Sequence, residues 1–191
     1  GEGLGNQFLA HIRETDAIVN VVRCFEDPNV VHVAGKVDPI NDITVIQTEL
    51  ALADLSTVDR VYQREIKKAG SGNKDSVKLC NLLKKVSAHL DHGDPIRTMG
   101  LTKDEMTLLK PLFLITAKPA MYVANVSDDG FTDNPLLDQL TAYAKSQNAP
   151  LVAICAATEA EIEKLKAAVE TGETFLKEHT ENEYTEKSWK N

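Results

Sequence analysis

No stretch of the 191 residues approaches the roughly 18 consecutive apolar side chains that cross a bilayer, and the amino terminus shows no basic region followed by an apolar core. Both absences point to the cytoplasm and away from a membrane partner. Only three cysteines occur, Cys24, Cys80 and Cys155, far apart and each in apolar surroundings. Such a set makes neither a disulfide framework nor a zinc site and reads as reduced core residues. His89 and His92 have no third ligand nearby and precede Gly93, so they suit a helix C-terminus better than a metal. His11 and His32 read as packing residues. No G-x-x-x-x-G-K-[ST] occurs anywhere, so the Lys and Ser/Thr that hold phosphates and Mg²⁺ in a P-loop are missing. Positive charge is also scarce: the net charge of −8 excludes nonspecific nucleic-acid binding by the chain as a whole. The deficit is uneven, because residues 43–112 hold 11 Lys/Arg against 9 Asp/Glu while the rest holds 10 against 20.

Against those absences, 42% of the residues are hydrophobic, enough for one substantial core and a smaller second module. Three apolar runs rich in β-formers stand out: Ala17 to Phe25, Met121 to Val126, and Pro150 to Cys155. Their near-continuous apolar character predicts parallel strands covered on both faces. Asn134-Pro135 opens a helix between the last two, with Leu136, Leu137, Leu140 and Tyr143 as its buried stripe. Thr158 to Glu161 forms a capping-box pattern for another. The alternation is βαβ, and right-handed crossovers would bring the loops after Ala124 and Ile154 to one edge of the sheet, where ligands of such sheets bind. Asn125 and Asp128 sit at the spacing of a base-recognition loop, which is equally the composition of a plain strand-to-helix turn. Gly1, Gly3 and Gly5 precede an amphipathic segment containing Phe8, Leu9 and Ile12; the run suits either a phosphate cradle or a flexible glycine loop.

Residues 43–112 depart from this alternation and read as helical throughout. Ala51, Leu55, Val58, Tyr62 and Ile66 form one stripe, and Leu79, Leu82, Leu83, Val86 and Leu90 a second, separated by Gly70-Ser71-Gly72-Asn73. Two narrow apolar seams joined by a short turn predict an antiparallel hairpin. Lys67, Lys68, Lys74 and Lys78 cluster at its tip, either solvated or facing RNA. A third helix should start at Thr102, with Glu105 completing a capping box.

Gly1 to Asp16, Val22-Arg23-Cys24-Phe25, Val30 to Pro39, Thr48 to Leu55 and Lys118 to Val126 together resemble the YchF group of the Obg-related P-loop NTPases, the Obg-like ATPases, with coverage from Gly1 to about Glu163. That resemblance implies part of a P-loop NTPase-type parallel sheet with an inserted antiparallel helical hairpin, and in the whole family a C-terminal TGS domain. It divides the chain into residues 1–42 and 113–165 as two parts of a nucleotide-binding α/β domain, 43–112 as the hairpin, and 166–191 as an acidic tail that does not match the family. It implies ATP or GTP with Mg²⁺ as ligand, and a ribosome or RNA as partner. Asn125, Val126 and Asp128 match the base-recognition loop, Cys155, Ala156 and Ala157 the second base-contacting loop, and Gly1, Gly3 and Gly5 a switch beside the γ-phosphate. Ala156 would offer its N–H to the base. Asp128 stands where the family usually has Glu, and Val126 where GTPases have Lys. No catalytic residue is expected within the 191 residues, and the chain alone should hydrolyse neither ATP nor GTP above background. The alternative implied is a non-catalytic ribosome-, RNA- or protein-binding module acting through the hairpin.

Overall fold

Strand β1 (Ile18–Arg23) pairs in parallel with β2 (Ala120–Asn125), and β2 pairs in parallel with β3 (Leu151–Ile154), in the order β1-β2-β3. The computed structural model describes residues 2–27 and 35–187. The register aligns Val21, Val123 and Val152 across the sheet, then Arg23, Asn125 and Ile154. The loops leaving β2 and β3 therefore start level with one another on one edge, as the βαβ reading requires.

Val22, Cys24, Tyr122, Ala124 and Val126 project to one side and bury against Ile43, Leu140 and Ala144. Helix α5 (Pro135–Ser146) opens at Asn134, whose side chain accepts from the Leu136 and Leu137 N–H groups, and it carries the expected stripe. The opposite face differs from expectation. Val19, Val21 and Val152 are 53%, 67% and 48% exposed, so no described element covers them. A continuous apolar run reports what a strand could bury; whether a second layer is present depends on other residues.

Helix α2 (Pro39–Gly70) and α3 (Lys74–Asp91) form the hairpin. α2 starts four residues before Ile43, because Asp38 caps it by accepting from the Asn41 N–H at 3.0 Å and Pro39 suits the first turn. Gly72 turns the chain at φ +87, and Asn73 caps α3 through the Asp75 and Ser76 N–H groups. Ala51, Val58, Val61, Leu82, Leu83, Val86 and Leu90 fill the seam. Ile66, expected on it, is 42% exposed. A straight helix drifts past a fixed stripe over several turns, so near the tip Glu65 faces α3 instead. Its carboxylate accepts from Ser76 Oγ at 2.9 Å, Lys68 Nζ at 2.9 Å and Arg64 Nε at 3.2 Å.

Those partners, Lys68 foremost, hold the Glu65 carboxyl below its ordinary value of 4.5. A lowered folded value means its contribution is full above pH 4.5 and is lost as pH falls through the folded value. Thermal melts of the native chain and Glu65→Gln should therefore differ most near neutrality and converge below pH 4.5. A gap that stayed constant across that range would deny the carboxylate this role.

At its base, α2 meets the sheet through Gln47. Its Nε2 donates to Tyr122 Oη at 3.2 Å and its Oε1 accepts from Tyr143 Oη at 2.9 Å. The two rings pack edge to face at 5.7 Å, and burial chiefly pushes the Tyr143 hydroxyl up to about 12. Helix α4 (Lys103–Leu109) starts from the Thr102–Glu105 capping box as expected, and Lys85 approaches Glu105 at 3.7 Å. Two 3₁₀ turns follow, Lys110–Leu112 and Ile115–Ala117. The second is capped by fully buried Asp54, which accepts from Ile115 N at 2.9 Å, Thr116 N at 2.7 Å and Thr116 Oγ1 at 2.8 Å.

Helix α1 (Glu2–Glu14) takes in Gly3 and Gly5, which were expected in a loop; Gly1 lies outside the described residues. Glycine weakens a helix by about 1 kcal/mol relative to Ala without forbidding it, and no atom lies within 4 Å of where a Gly5 Cβ would stand. His11 is exposed rather than packed, while His32 and the Val30 to Ala34 segment lie outside the described residues. His89 Nε2 lies 3.1 Å from both Pro95 O and Thr98 Oγ1 just past the end of α3. All three cysteines are buried and free. Helix α6 (Ala156–Lys187) continues through Gly172, where the sequence pattern had loosened.

Candidate functional site

The carboxyl ends of β2 and β3 are stitched together by the residues of the two loops. Asn125 Oδ1 accepts from the Ala156 N–H at 3.0 Å, and the Val126 N–H donates to Ile154 O at 2.9 Å. Asp128 Oδ1 accepts from Cys155 Sγ at 3.0 Å and from Thr158 Oγ1. These donors, Thr158 first, hold the Asp128 carboxyl below its ordinary value, so it is ionised at neutral pH. The charge also sits beside the first turn of α6, where the helix dipole favours an anion.

The Asn-x-x-Asp segment thus does more than turn the chain, since it ties the two loops together. Val126 is 2% exposed and belongs to the sheet core, so it cannot cover a base as a Lys stem does. The Ala156 N–H is given to Asn125 rather than left for a ring acceptor. Ala157 lies exposed in the first turn of α6. What remains unspent among the described residues is Asn125 Nδ2 as donor and Asp128 Oδ2 as acceptor. One donor and one acceptor on rigidly held loops suit the polar edge of a purine.

Three supporting residues escaped the sequence reading. Asn134, legible as a cap, also donates from Nδ2 to Cys24 O and Gly130 O, both at 2.9 Å, tying the loop after β1 to the loop after β2. Thr158 was legible only as the start of a capping box. The helix instead begins at Ala156, and the hydroxyl turns back to Asp128. At Gly130 an added Cβ would stand 2.7 Å from Ser127 Oγ and 3.1 Å from Ser127 N, inside the turn closed by Gly130 N to Ser127 O at 2.9 Å. The spacing of Gly130 from Asn125 carried that signal.

Gly3 and Gly5 on α1, and the lysines of the hairpin, make no hydrogen bond to these loops among the described residues. At the tip, Lys67, Lys74 and Lys78 are exposed without a salt bridge among the described residues, whereas Lys68 is engaged by Glu65 at 2.9 Å. The four are not equivalent. Among the described residues no three His, Cys, Asp or Glu side chains converge to hold a metal, and no described helix is long and apolar enough to cross a membrane.

Two bacterial proteins named ribosome-binding ATPase YchF, from Haemophilus ducreyi and Haemophilus influenzae, are 51% and 50% identical to this chain, over 87% and 86% of it. The Bacillus subtilis protein of the same name is 44% identical over 93% of the chain, so the similarity runs past residue 166, into the segment expected not to match. The chain spans about half the length of these relatives: 46%, 46% and 49%. The solved structure of a Schizosaccharomyces pombe YchF GTPase superposes with a TM-score of 0.74 at 31% identity, covering 91% of this chain and 49% of that one. No family model matches the chain.

Proposed function

We propose that this chain, which belongs to the YchF ribosome-binding ATPase family, carries the purine-reading edge and the helical hairpin of a ribosome-associated nucleotide switch. The reading is supported above all by the lacing of Asn125 to Ala156 and of Asp128 to Thr158 and Cys155. It joins two loops distant in sequence at the edge where α/β sheets bind ligands. In such a switch Asn125 Nδ2 would donate to a ring acceptor and Asp128 Oδ2 would accept from a ring or exocyclic N–H. Mg²⁺ would accompany the triphosphate, and the described side chains build no cage for it.

Base preference should be shallow. Asp128 retains an acceptor that guanine N1–H could use, while Val126 leaves the base without the cover that a Lys stem gives. A site rejects a wrong base strongly only when buried polar groups are left unpaired, and exposed Asp128 Oδ2 can turn to water. Calorimetric titration should show adenosine nucleotides favoured over guanosine nucleotides by less than about tenfold. Asn125→Ala should weaken both, since it removes the donor and the strut to Ala156 together. A GTP preference of orders of magnitude, or binding indifferent to Asn125→Ala, would refute the assignment.

A second reading rests on the exposed ammonium groups of Lys67, Lys74 and Lys78, unpaired among the described residues, on an otherwise acidic chain. Here the hairpin tip contacts the phosphates of ribosomal RNA whether or not a nucleotide is bound.

A further inference from the structure

A cleft of about 430 Å³ lies between the last turn of α1 and the segment from α4 to the start of β2. It borders Asp16, just before β1, and Pro119, just before β2, so it sits at the amino ends of the strands. The base loops leave the opposite ends, roughly 20 Å away for six extended residues. Its floor is apolar: Leu109 and Leu114, 2% and 3% exposed, beside Ala117 and Pro119. The volume falls within the roughly 300–1,000 Å³ of ligand-binding clefts.

Two further observations separate this cleft from a packing gap. Phe113, which lines it, has φ 49 and ψ 44, the left-handed region that a bulky side chain rarely adopts. Its ring is not compensated by burial, being 63% exposed. The Phe113 carbonyl accepts from Arg13 Nη1 at 3.5 Å and its N–H donates to Lys110 O at 3.3 Å, so the backbone turn is fixed while the ring is left outside. Strained backbone of this kind clusters at ligand clamps and active sites, and here it holds an aromatic ring in solvent. Met106, 38% exposed, lines the same cleft.

Charge selects the occupant. Arg13 is spent on Ala53 O at 3.1 Å and lies 3.8 Å from Asp54, while Lys118 bonds Arg13 O and Thr15 O at the carboxyl end of α1. Both positive charges are therefore offset, one by a buried carboxylate and one by the negative end of a helix dipole. Glu14 and Asp16 remain exposed on the rim without a salt bridge among the described residues, against the single ammonium of Lys110. The open face of Phe113 also favours a cation.

We propose that this cleft docks a basic peptide segment of a protein partner, which places a large apolar side chain against Met106 and Phe113 and a Lys or Arg beside Glu14 and Asp16. The site is independent of the nucleotide edge and requires no nucleotide. The test uses the full chain and three dye-labelled peptides read by fluorescence anisotropy: one with Lys and Arg flanking Leu-Phe, one with Glu in place of the basic residues, and one with Ser in place of Leu-Phe. The first should bind saturably, and the other two at least about tenfold more weakly. Phe113→Gly removes the ring and suits the positive φ, so it should cut affinity at least about tenfold while leaving the melting temperature unchanged or higher. Glu14→Lys combined with Asp16→Lys should weaken the basic peptide without lowering the melting temperature. Equal binding of the acidic peptide, binding that survives Phe113→Gly, or a clear fall in the melting temperature of Phe113→Gly would overturn the proposal. So would displacement of the peptide by phenethylammonium at equal concentration, which would mark a site for small aromatic amines.

Discussion

Asp54→Ala should destabilise the chain by about 3–5 kcal/mol, the cost of removing one member of a buried charged cluster. The side chain is fully buried and serves three donors at once, two of them backbone N–H groups with no other acceptor among the described residues. Alanine would leave both amides unsatisfied in the interior and leave Arg13, 3.8 Å away, without its carboxylate. Burial pushes the Asp54 carboxyl up from its ordinary value, and the Thr116 and Ile115 amides, the Thr116 hydroxyl and Arg13 pull it part of the way back, so the donors offset a share of the desolvation. For a chain of this size the melting temperature should fall by roughly 10 °C or more. Hydrogen exchange at Ile115 and Thr116 should accelerate before the rest of the molecule melts. A shift of only a degree or two, with those amides still protected, would mean that water replaces the carboxylate easily and that the joint is not a keystone.

The second large effect is expected at the hairpin tip. Reversing Lys67 and Lys78 to Glu should lower affinity for ribosomes or ribosomal RNA on the order of 10- to 100-fold and flatten its salt dependence, because every phosphate that a lysine ceases to neutralise takes close to one unit from the slope. Lys68 is the wrong residue to reverse. Its ammonium holds the buried carboxylate of Glu65, so Lys68→Glu would perturb the fold and the surface together. Lys67 and Lys78 offer a clean change because both are exposed and unpaired among the described residues. Sedimentation with ribosomes across a range of salt concentrations measures both quantities. Unchanged affinity and slope would reduce the tip to a solvated end.

Much of the architecture was legible because it follows from local pattern. The three strands are β-branched runs closed by turn residues, the hairpin is two seams around a glycine turn, and Thr102 and Asn134 announce their helices as caps. What was not legible depends on which neighbour arrives. An apolar run cannot say whether a second layer covers it, and here Val19, Val21 and Val152 stay open. Periodicity assigned Ile66 to the seam, yet cumulative drift rotated Glu65 into it, where Ser76 made a buried carboxylate tolerable. Thr158 could be read as a cap because the pattern is local; its actual partner, Asp128, lies 30 residues back and is brought near only by the parallel pairing of β2 and β3. The burial of Val126 was not legible for the same reason, since only the register decides which loop residue turns inward.

The Gln47 contacts give the hairpin a mechanical meaning. The 23 steps from Gln47 to Gly70 extend about 35 Å at 1.5 Å per residue. A tilt of about 5° around Gln47 would carry the tip through about 3 Å, the span of one polar contact. Gln47 and, seven residues on, Asp54 hold the base of that arm while its far end carries the lysines, and Gln47 reaches Tyr122, three residues before Asn125 on the same strand. In the proposed switch, a load on the tip would reach β2 through the Gln47–Tyr122 contact, on the strand that leads into Asn125.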